Sequence, residues 1–551
     1  MEGRIKEKKG IFYDVKNLLR EPALLAIILI TFICFGIFII YPLGKITLIP
    51  KMKDWTRIFT NERMMRSFWN TLASSALSTT TATILGFIYA YSLNYTNMPG
   101  KKFFRVVALL PTMAPSVVTG LAFIMLFGRR GIITYKLFNL SVDLYGWVGL
   151  WIVQSIAFFP LAYITISGVL KSISPNLELA AQNLGARGFT LFRTVTLKLA
   201  TPGIASAYLL VAINSFADFG NPMLIGGNYT VLATEAYTQV TGNWDLEVAA
   251  ALSLLLVIPT MLVFFIQKYY LDKKSYVTVT GKPVSGLNRD IVSKKVEKIL
   301  FAICLIMSII ILMIIGVVVC FAFTKAFGAN NQFTLDNFKE GVLRSKPMRN
   351  SWIFSMIAAF ITTIIGIVLG FLVVRKKFPG KNILDFLAML PVSLPGTFIG
   401  LSLILAFNNK TLALTGTAAI VIIGMTIRQI PVGYRNSIAG FKQIDKSIEE
   451  ASTNLGGNSF ITFIKVVLPM MKNALSVSFV YTFMKCMNTL STVIFLISPK
   501  WMLASVSILS LADHAFYGVA SATAIGMMGI IFITFGVVKL IFRDKINIFD
   551  L

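Results

Sequence analysis

Two related stretches of the chain decide its fold: residues 178–185 read Glu-Leu-Ala-Ala-Gln-Asn-Leu-Gly, and residues 450–456 read Glu-Ala-Ser-Thr-Asn-Leu-Gly. Nine residues after each glycine, the chain continues as Val-Thr-Leu-Lys (195–198) and as Val-Val-Leu-Pro (466–469). We name residues 178–198 loop A and residues 450–469 loop B. Each loop predicts a short helix with small residues on one face, a glycine that permits a tight turn, and a second short helix.

The sequence on both sides of these loops is strongly apolar. The chain has 551 residues, of which 56% are hydrophobic and 14% charged, and its mean hydropathy is +0.76. A membrane-spanning helix needs about 20 mostly apolar residues. Twelve such windows occur, near residues 23–43, 68–93, 103–127, 147–170, 202–225, 247–270, 298–323, 351–375, 383–406, 412–434, 471–497 and 521–542. The sequence therefore predicts an all-α integral membrane protein with about 12 transmembrane helices.

Charge predicts how these helices are oriented. The first window is too long for a signal peptide and lacks a small-residue cleavage site before Pro42, so we expect a retained helix. With both termini in the cytoplasm, the segments on the cytoplasmic side carry the larger share of Lys and Arg, as the positive-inside rule requires. Loops A and B then lie on that side. The net charge of +27 follows from topology and attraction to membrane lipid, and we expect no nucleic-acid partner.

An internal repeat organises the chain. Met-Pro-Gly-Lys at 98–101 recurs as Phe-Pro-Gly-Lys at 378–381, and Leu-Pro at 110–111 recurs at 390–391, both at an offset of 280. Leu-Gly-Phe at 85–87 recurs at 369–371, and loop A recurs as loop B at an offset of 271. Small changes in offset are expected from loop insertions between duplicated halves. Because each half holds six helices, the repeats are tandem and parallel.

This pattern predicts six segments. They are residues 1–66 (basic segment, first helix and outer loop), 67–270 (first transmembrane domain), 271–298 (cytoplasmic linker), 299–349 (seventh helix and outer loop), 350–543 (second transmembrane domain) and 544–551 (cytoplasmic tail).

Loops A and B are suited to docking on another protein. Small residues let a partner's backbone come close, and a helical knob can sit in a groove of a soluble protein. The apolar anchors would be Leu184, Phe189, Leu455 and Phe460.

These two loops resemble the EAA loop of type I ABC importer permeases, whose pattern is roughly E-A-A-x3-G-x9-I-x-L-P. The resemblance covers the chain from about residue 67 to residue 542, and it implies the type I ABC permease fold. It also implies coupling helices that contact two copies of an ABC ATPase subunit. The implied coupling residues are Glu178, Ala180, Ala181, Leu184, Gly185, Glu450, Ala451, Leu455, Gly456 and Pro469.

The two loops depart from the family pattern in different ways. Leu179 stands at the usual glutamate of loop A, Lys198 stands at the usual proline, and Ser452 replaces an alanine in loop B. The two halves are therefore not equivalent.

Substrate signals come from the fifth helix of each half. The run at 214–222, with 224–228 and 231–235, resembles fused permeases of ferric-iron importers, and relatives that handle aminoethylphosphonate share much of it. In the outer loop 226–245, Glu235 and Asp245 stand without a basic residue, which favours iron, since hard cations accept oxygen ligands. Aminoethylphosphonate or another small solute, such as thiamine or a polyamine, stays an alternative.

Ionisable groups within predicted spans are candidates for the transport pathway, because charges there are costly. Asp218 and Lys485 are such groups, and alternatively they form a buried structural pair, or nearby amides cap Asp218. The candidate pathway residues are Asn214, Asp218, Asn221, Lys485, Asn488 and Ser491.

Catalytic and metal-binding motifs are absent from the sequence. There is no G-x-x-x-x-G-K-[ST] loop and no H-E-x-x-H, and His514 is the single histidine. We therefore expect a pore subunit and not an enzyme, with no cofactor or metal bound by this chain and with ATP and Mg in the partner subunits. A solute-binding protein would deliver substrate at the cytoplasmic membrane, for alternating access. A secondary transporter is the rival hypothesis, but loops A and B have no role in it.

Overall fold

The computed structural model describes residues 21–140, 143–271, 292–327, 330–409, 412–457 and 459–542. Most of the predicted linker 271–298, the tail 544–551 and residues 1–20 of the predicted basic segment lie outside the described residues.

The first half is a succession of helices, with π-helical turns at 36–40, 132–137, 192–196 and 267–271. Its helices are α1 Pro22–Phe35, α2 Tyr41–Leu48, α3 Met52–Thr60, α4 Glu62–Tyr95, α5 Lys101–Met113, α6 Ser116–Phe127, α7 Trp147–Ser172, α8 Pro175–Asn183, α9 Gly188–Leu191, α10 Leu197–Phe216, α11 Gly220–Ile225, α12 Leu232–Thr241 and α13 Leu246–Ile266.

The second half repeats this order, with a short antiparallel hairpin inserted after its first helix. It comprises α14 Lys294–Ala322, β1 Thr324–Ala326, β2 Asn330–Phe333, α15 Asp336–Phe338, α16 Lys346–Arg375, α17 Lys381–Ser393, α18 Gly396–Phe407, α19 Ala418–Gln443, α20 Lys446–Asn454, α21 Ser459–Thr462, α22 Leu468–Met470, α23 Lys472–Met487, α24 Ala504–Asp513 and α25 Tyr517–Phe542. π-Helical turns lie at 339–343 and 463–467, and a 3₁₀ turn at 499–501.

Among the described residues, nine helices are long and apolar enough to cross a membrane. Two further pairs pass the same test together but are bent, by 112° between α17 and α18 and by 65° between residues 463–470 and α23. α19 fills the window predicted at 412–434 and packs along α16. The all-α membrane fold and its tandem organisation are thus confirmed.

Each half has a core of three packed helices, α4 with α7 and α10 in the first and α16 with α19 and α23 in the second. Glycine permits the closest approaches. A Cβ added at Gly86 would lie 2.6 Å from the Cβ of Ala162, and one at Gly366 would lie 2.5 Å from the carbonyl carbon of Gly433. Small residues at such crossings let helices in a membrane gain dispersion energy from close backbone contact.

The windows predicted at 202–225 and 471–497 are not continuous helices. α10 ends at Phe216, and α23 ends at Met487. The residues that follow, Ala217 and Asn488, have nearly identical dihedrals (φ −84°, ψ 0° and φ −87°, ψ 0°), and they correspond at the offset of 271. The helix therefore breaks at the same repeat position in both halves.

The first helix of each half packs on the other half. α2 contacts α18, and the Phe38 and Tyr41 rings lie 5.9 and 6.1 Å from that of Phe407. In return, α14 packs on α5 and α6, and Ser308 Oγ lies 3.0 Å from the Tyr89 hydroxyl. The two repeats are thus interlocked by an exchange of helices.

Candidate coupling and transport sites

Loop A forms two short helices joined by a left-handed glycine. α8 ends at Asn183, Gly185 has φ +92°, and α9 begins at Gly188. Glu178 is 1% exposed, and its Oε1 accepts a hydrogen bond of 2.9 Å from Thr196 Oγ1. This carboxylate fastens the first short helix of loop A to the segment that leads into α10.

Loop B has the same backbone geometry, but a different contact attaches it to the membrane-spanning helices. Gly456 has φ +85° after α20, and residue 449, one place before loop B, is a glutamate. Glu449 Oε1 lies 2.7 Å from Nε of Arg375, the last residue of α16. Arg375 also donates to the carbonyls of Phe441 and Ile444, at 3.1 and 2.7 Å. An ion pair thus ties α20 to two membrane-spanning helices.

Glu449 is a residue that the motif search missed. The offset of 271 places Glu449, not Glu450, opposite Glu178, and both of these carboxylates face the membrane-spanning helices. Glu450 is exposed, and it corresponds to Leu179, which is 41% exposed. Applying the repeat offset to the acidic residues would have found Glu449 from sequence.

The remaining coupling candidates lie mostly on the surface. Leu184 and Leu455, equivalent by the offset, are each 89% exposed, and Phe189 is 73% exposed. Ala180, Ala451 and Pro469 are exposed, and Ala181 is half-buried. The side chain of Phe460 lies outside the described residues. Together these large exposed side chains and the small residues beside them form an apolar surface patch, a feature typical of protein–protein contacts.

Asp218 lies in a buried network of the first half. Its Oδ2 accepts hydrogen bonds from Gln154 Nε2 and Asn221 Nδ2, each 3.0 Å long. Gln154 Oε1 accepts in turn from Ser78 Oγ at 3.1 Å and from Ser215 Oγ at 3.3 Å. Of the two structural arrangements considered from sequence, a pair with Lys485 or capping by nearby amides, the structure shows the amides.

No ion pair joins Asp218 to Lys485 in the part of the chain that the structure describes. Lys485 is half-buried, with Nζ 5.4 Å from the centre of the Tyr481 ring. Asn221 is fully buried beside Asp218, so these two residues brace the helix break.

The other candidate pathway residues are half-buried. Asn214 bonds within its own helix, to the Leu210 carbonyl at 2.8 Å. Asn488 reaches across to the first half, where its Nδ2 donates to the Met113 carbonyl at 3.2 Å. Ser491 lies against Gly396, so a Cβ at that glycine would collide with the Ser491 hydroxyl.

Arg428, within the predicted span 412–434, is a second residue that the search missed. Its Nη1 donates to the carbonyls of Pro391 and Leu394, at 2.7 and 2.6 Å. These carbonyls lie where α17 gives way to α18, so the guanidinium satisfies acceptors that the bend frees. A charge inside a predicted span was the signal that could have found it.

The electrostatic reason for preferring iron is wrong. Glu235 is 1% exposed and paired with Arg63 at 3.1 Å, and Asp245 is paired with Arg57 at 2.6 Å. Both arginines come from α3 and α4, distant in sequence from loop 226–245. The carboxylates are therefore compensated, and they neither attract a cation nor repel an anion as bare charges would.

A cavity of about 640 Å³ opens on the opposite face of the membrane from loops A and B. It lies between the start of α4, Arg129, residues 143–147 and residues 227–229, and its lining includes Arg66, Asn70 and Trp147. Arg129 binds Asp143 at 2.7 Å and holds the pKa of that carboxyl below its usual value. The cavity thus carries two arginines and an exposed tryptophan.

Comparison with known proteins places this geometry in a family. The binding-protein-dependent transport system inner membrane component matches residues 82–275 and again residues 362–546. The ferric transport system permease protein FbpB of Actinobacillus pleuropneumoniae is 35% identical over 532 residues, covering 91% of this chain and 75% of that protein. A putative FbpB 1 of Haemophilus influenzae is also 35% identical, over 86% of this chain and 78% of its own length.

Among solved structures, one chain of a bacterial alginate ABC transporter in complex with an alginate pentasaccharide-bound periplasmic protein matches 47% of this chain and 98% of its own. Its identity is 21% and its TM-score 0.42. The family model matches twice in one polypeptide, and two relatives are 35% identical over most of their length. These two findings establish the family of the chain. The chain belongs to the binding-protein-dependent transport inner-membrane components, the multi-pass permease subunits of ABC importers, with two such domains fused in tandem.

Proposed function

We propose that this chain is the permease of a ferric-iron importer. The observation that carries the proposal is the 35% identity to two ferric transport permeases, over 75% and 78% of their lengths. The outer carboxylates no longer support it, because arginines neutralise them.

For energy coupling, we propose that loops A and B each receive one copy of an ATPase subunit on the cytoplasmic side, where both termini also lie. The exposed Leu184 and Leu455 support this, since each offers an apolar anchor beside small residues. ATP and Mg belong to those partner subunits, and this chain supplies the pore.

For the pathway, we propose that Asn214, Lys485, Asn488 and Ser491 line it, because their half-buried side chains remain partly accessible at or near the helix breaks. Asp218 and Asn221 act behind them, holding the break in place. A solute-binding protein would deliver substrate at the face that carries the arginine-lined cavity, and the two halves would alternate in access.

The substrate is tested by uptake into proteoliposomes that hold this chain, its ATPase and its binding protein. Radioactive ferric iron and aminoethylphosphonate are supplied in parallel, with and without ATP inside. We expect ATP-dependent accumulation of iron and none of the phosphonate. Phosphonate uptake without iron would contradict the substrate but keep the importer, whereas ATP hydrolysis by the purified chain alone would contradict the pore-subunit assignment.

A further inference from the structure

A long apolar groove runs along the membrane-embedded surface of the second half, between α16, α23 and α25. Its volume is about 600 Å³, and its lining includes Trp352 and Met356 of α16, Phe479 of α23, and Ile533 and Val537 of α25. Along α16 it extends from Trp352 to Thr363, which is about 16 Å at 1.5 Å per residue. Its lining also includes Leu475 in the first turn of α23 and Ile541 near the end of α25, so the groove runs from the start of α16 toward the side of loop B.

A basic cavity adjoins the groove at the end where α16 begins. It measures about 300 Å³, is lined by Arg344, Lys346 and Arg349, and shares Trp352 and Ile530 with the groove. Neither lining includes an Asp or a Glu. The three cationic side chains are exposed, and within the described residues none of them forms an ion pair.

The two cavities together match the shape and charge of one kind of molecule. Lys346 and Arg349 lie in the first turn of a membrane-spanning helix and Arg344 lies just before it, with Trp352, 46% exposed, three residues beyond Arg349. Tryptophan prefers the depth of lipid headgroups, and Lys or Arg near that depth attracts anionic lipid. A headgroup phosphate fits the basic end, and an acyl chain fits the groove.

We propose that this site binds an anionic phospholipid of the leaflet at which α16 begins. Its phosphate contacts Arg344, Lys346 and Arg349, and one acyl chain fills the groove between the three helices. The ammonium of a zwitterionic headgroup would meet three cations with no carboxylate in the lining, so net negative charge decides the choice. The bound acyl chain would contact α25 on one side and α16 and α23 on the other, and α16 and α23 belong to the packed core of the second half.

The test is native mass spectrometry of the purified full-length chain with phosphatidylglycerol or phosphatidylcholine carrying the same acyl chains. We expect preferential retention of phosphatidylglycerol. The triple variant Arg344→Ala, Lys346→Ala, Arg349→Ala should lose at least about tenfold of that binding. The matched control Lys53→Ala, Arg130→Ala, Lys325→Ala removes exposed cations of the same membrane face that line neither cavity, and it should bind as the unchanged protein does.

The acyl chain is tested separately by Thr534→Phe, which fills the groove without touching the cations. This variant should also lose phosphatidylglycerol, and soluble glycerol phosphate should not compete for the site. Thermal unfolding of every variant identifies those that have merely lost their fold. Equal retention of the two lipids by the unchanged chain, or undiminished binding by the folded triple variant, would overturn the proposal.

Discussion

Glu178 and Glu449 hold their short helices by different means, one through a hydroxyl and the other through a guanidinium. Arg375 is only 7% exposed, so loss of its partner would leave a nearly buried cation short of an acceptor. Hydrogen bonds to charged groups contribute about 2 kcal/mol each. Loop B is therefore held by a charged pair together with the packing of Ile448 and Phe463 against Phe441 and Ile444.

We predict that Glu449→Gln loosens loop B and lowers transport per ATP hydrolysed, whereas Glu450→Gln leaves the loop in place because Glu450 is exposed. Hydrogen exchange of residues 446–456 measures the loosening, and the reconstituted transporter gives the ratio of uptake to hydrolysis. Equal protection of the loop in the two variants would show that the ion pair with Arg375 does not hold it.

The left-handed glycines give a second prediction. A Cβ at Gly185 or Gly456 would meet no atom within 4 Å, so substitution costs backbone energy alone, about 1–2 kcal/mol. Gly456→Val should uncouple transport while the membrane fold stays intact, and Gly185→Val should act in the same way. Gly456→Asn is the matched control, because asparagine tolerates this conformation. Normal transport by both valine variants, with ATPase bound, would exclude the docking role.

At the residue scale, the sequence predicted those positions that occur in both repeats. Gly185 and Gly456 were found because two copies of a pattern agreed, and Leu184 and Leu455 because apolar residues stood beside that pattern. Asp218 could not be assigned in the same way. Its partner Asn221 is close in sequence, but its partner Gln154 lies 64 residues away, and Ser78, which donates to Gln154, lies a further 76 residues away, and no periodicity relates such positions.

At the scale of elements, windows of apolar residues located the spans but not their breaks. The break after α10 depends on individual residues, which the mean hydropathy of a 20-residue window does not show. Pro222 has no N–H to give to the Asp218 carbonyl, and the Asp218 side chain accepts from Asn221. In the second half, Ser505 Oγ satisfies the freed Thr489 carbonyl at 2.6 Å, another long-range contact.

We predict that Asp218 acts through the stability of this break. Asp218→Ala and Gln154→Leu should each lower the free energy of unfolding by about 1–3 kcal/mol, because each leaves buried partners unsatisfied. The double variant should lose less than the sum, as expected for groups in contact. Asn214→Ala is the control, since that side chain donates to a carbonyl of its own helix. Thermal unfolding decides, and a fully stable Asp218→Ala variant without transport would instead place Asp218 in the pathway.

At the scale of the whole molecule, the exchange of first helices makes each half incomplete. α2 packs on α18, and α14 packs on α5 and α6. A half expressed alone would therefore expose the surface on which the other half's first helix packs, and its own first helix would have no partner. The sequence predicted the duplication from offsets of 280 and 271, but an offset carries no information on which half a helix joins.

We predict that residues 1–280 and residues 281–551, produced as separate chains, do not accumulate in membranes alone but do so when expressed together. Immunoblots of membrane fractions measure accumulation, and co-purification through a tag on one chain measures assembly. Stable accumulation of either piece alone would mean that the exchanged contacts are dispensable.

The exchange of first helices also determines which parts of the molecule can move together as one rigid body. Because the ring of Tyr41 stays against Phe407 while Ser308 stays against Tyr89, any rocking of one core carries along a helix encoded in the other repeat. The mechanical bodies of this transporter are therefore not its sequence repeats. Each is a composite of one core and the first helix of the other repeat, and that helix stays linked to its own repeat through residues 49–61 or 323–345.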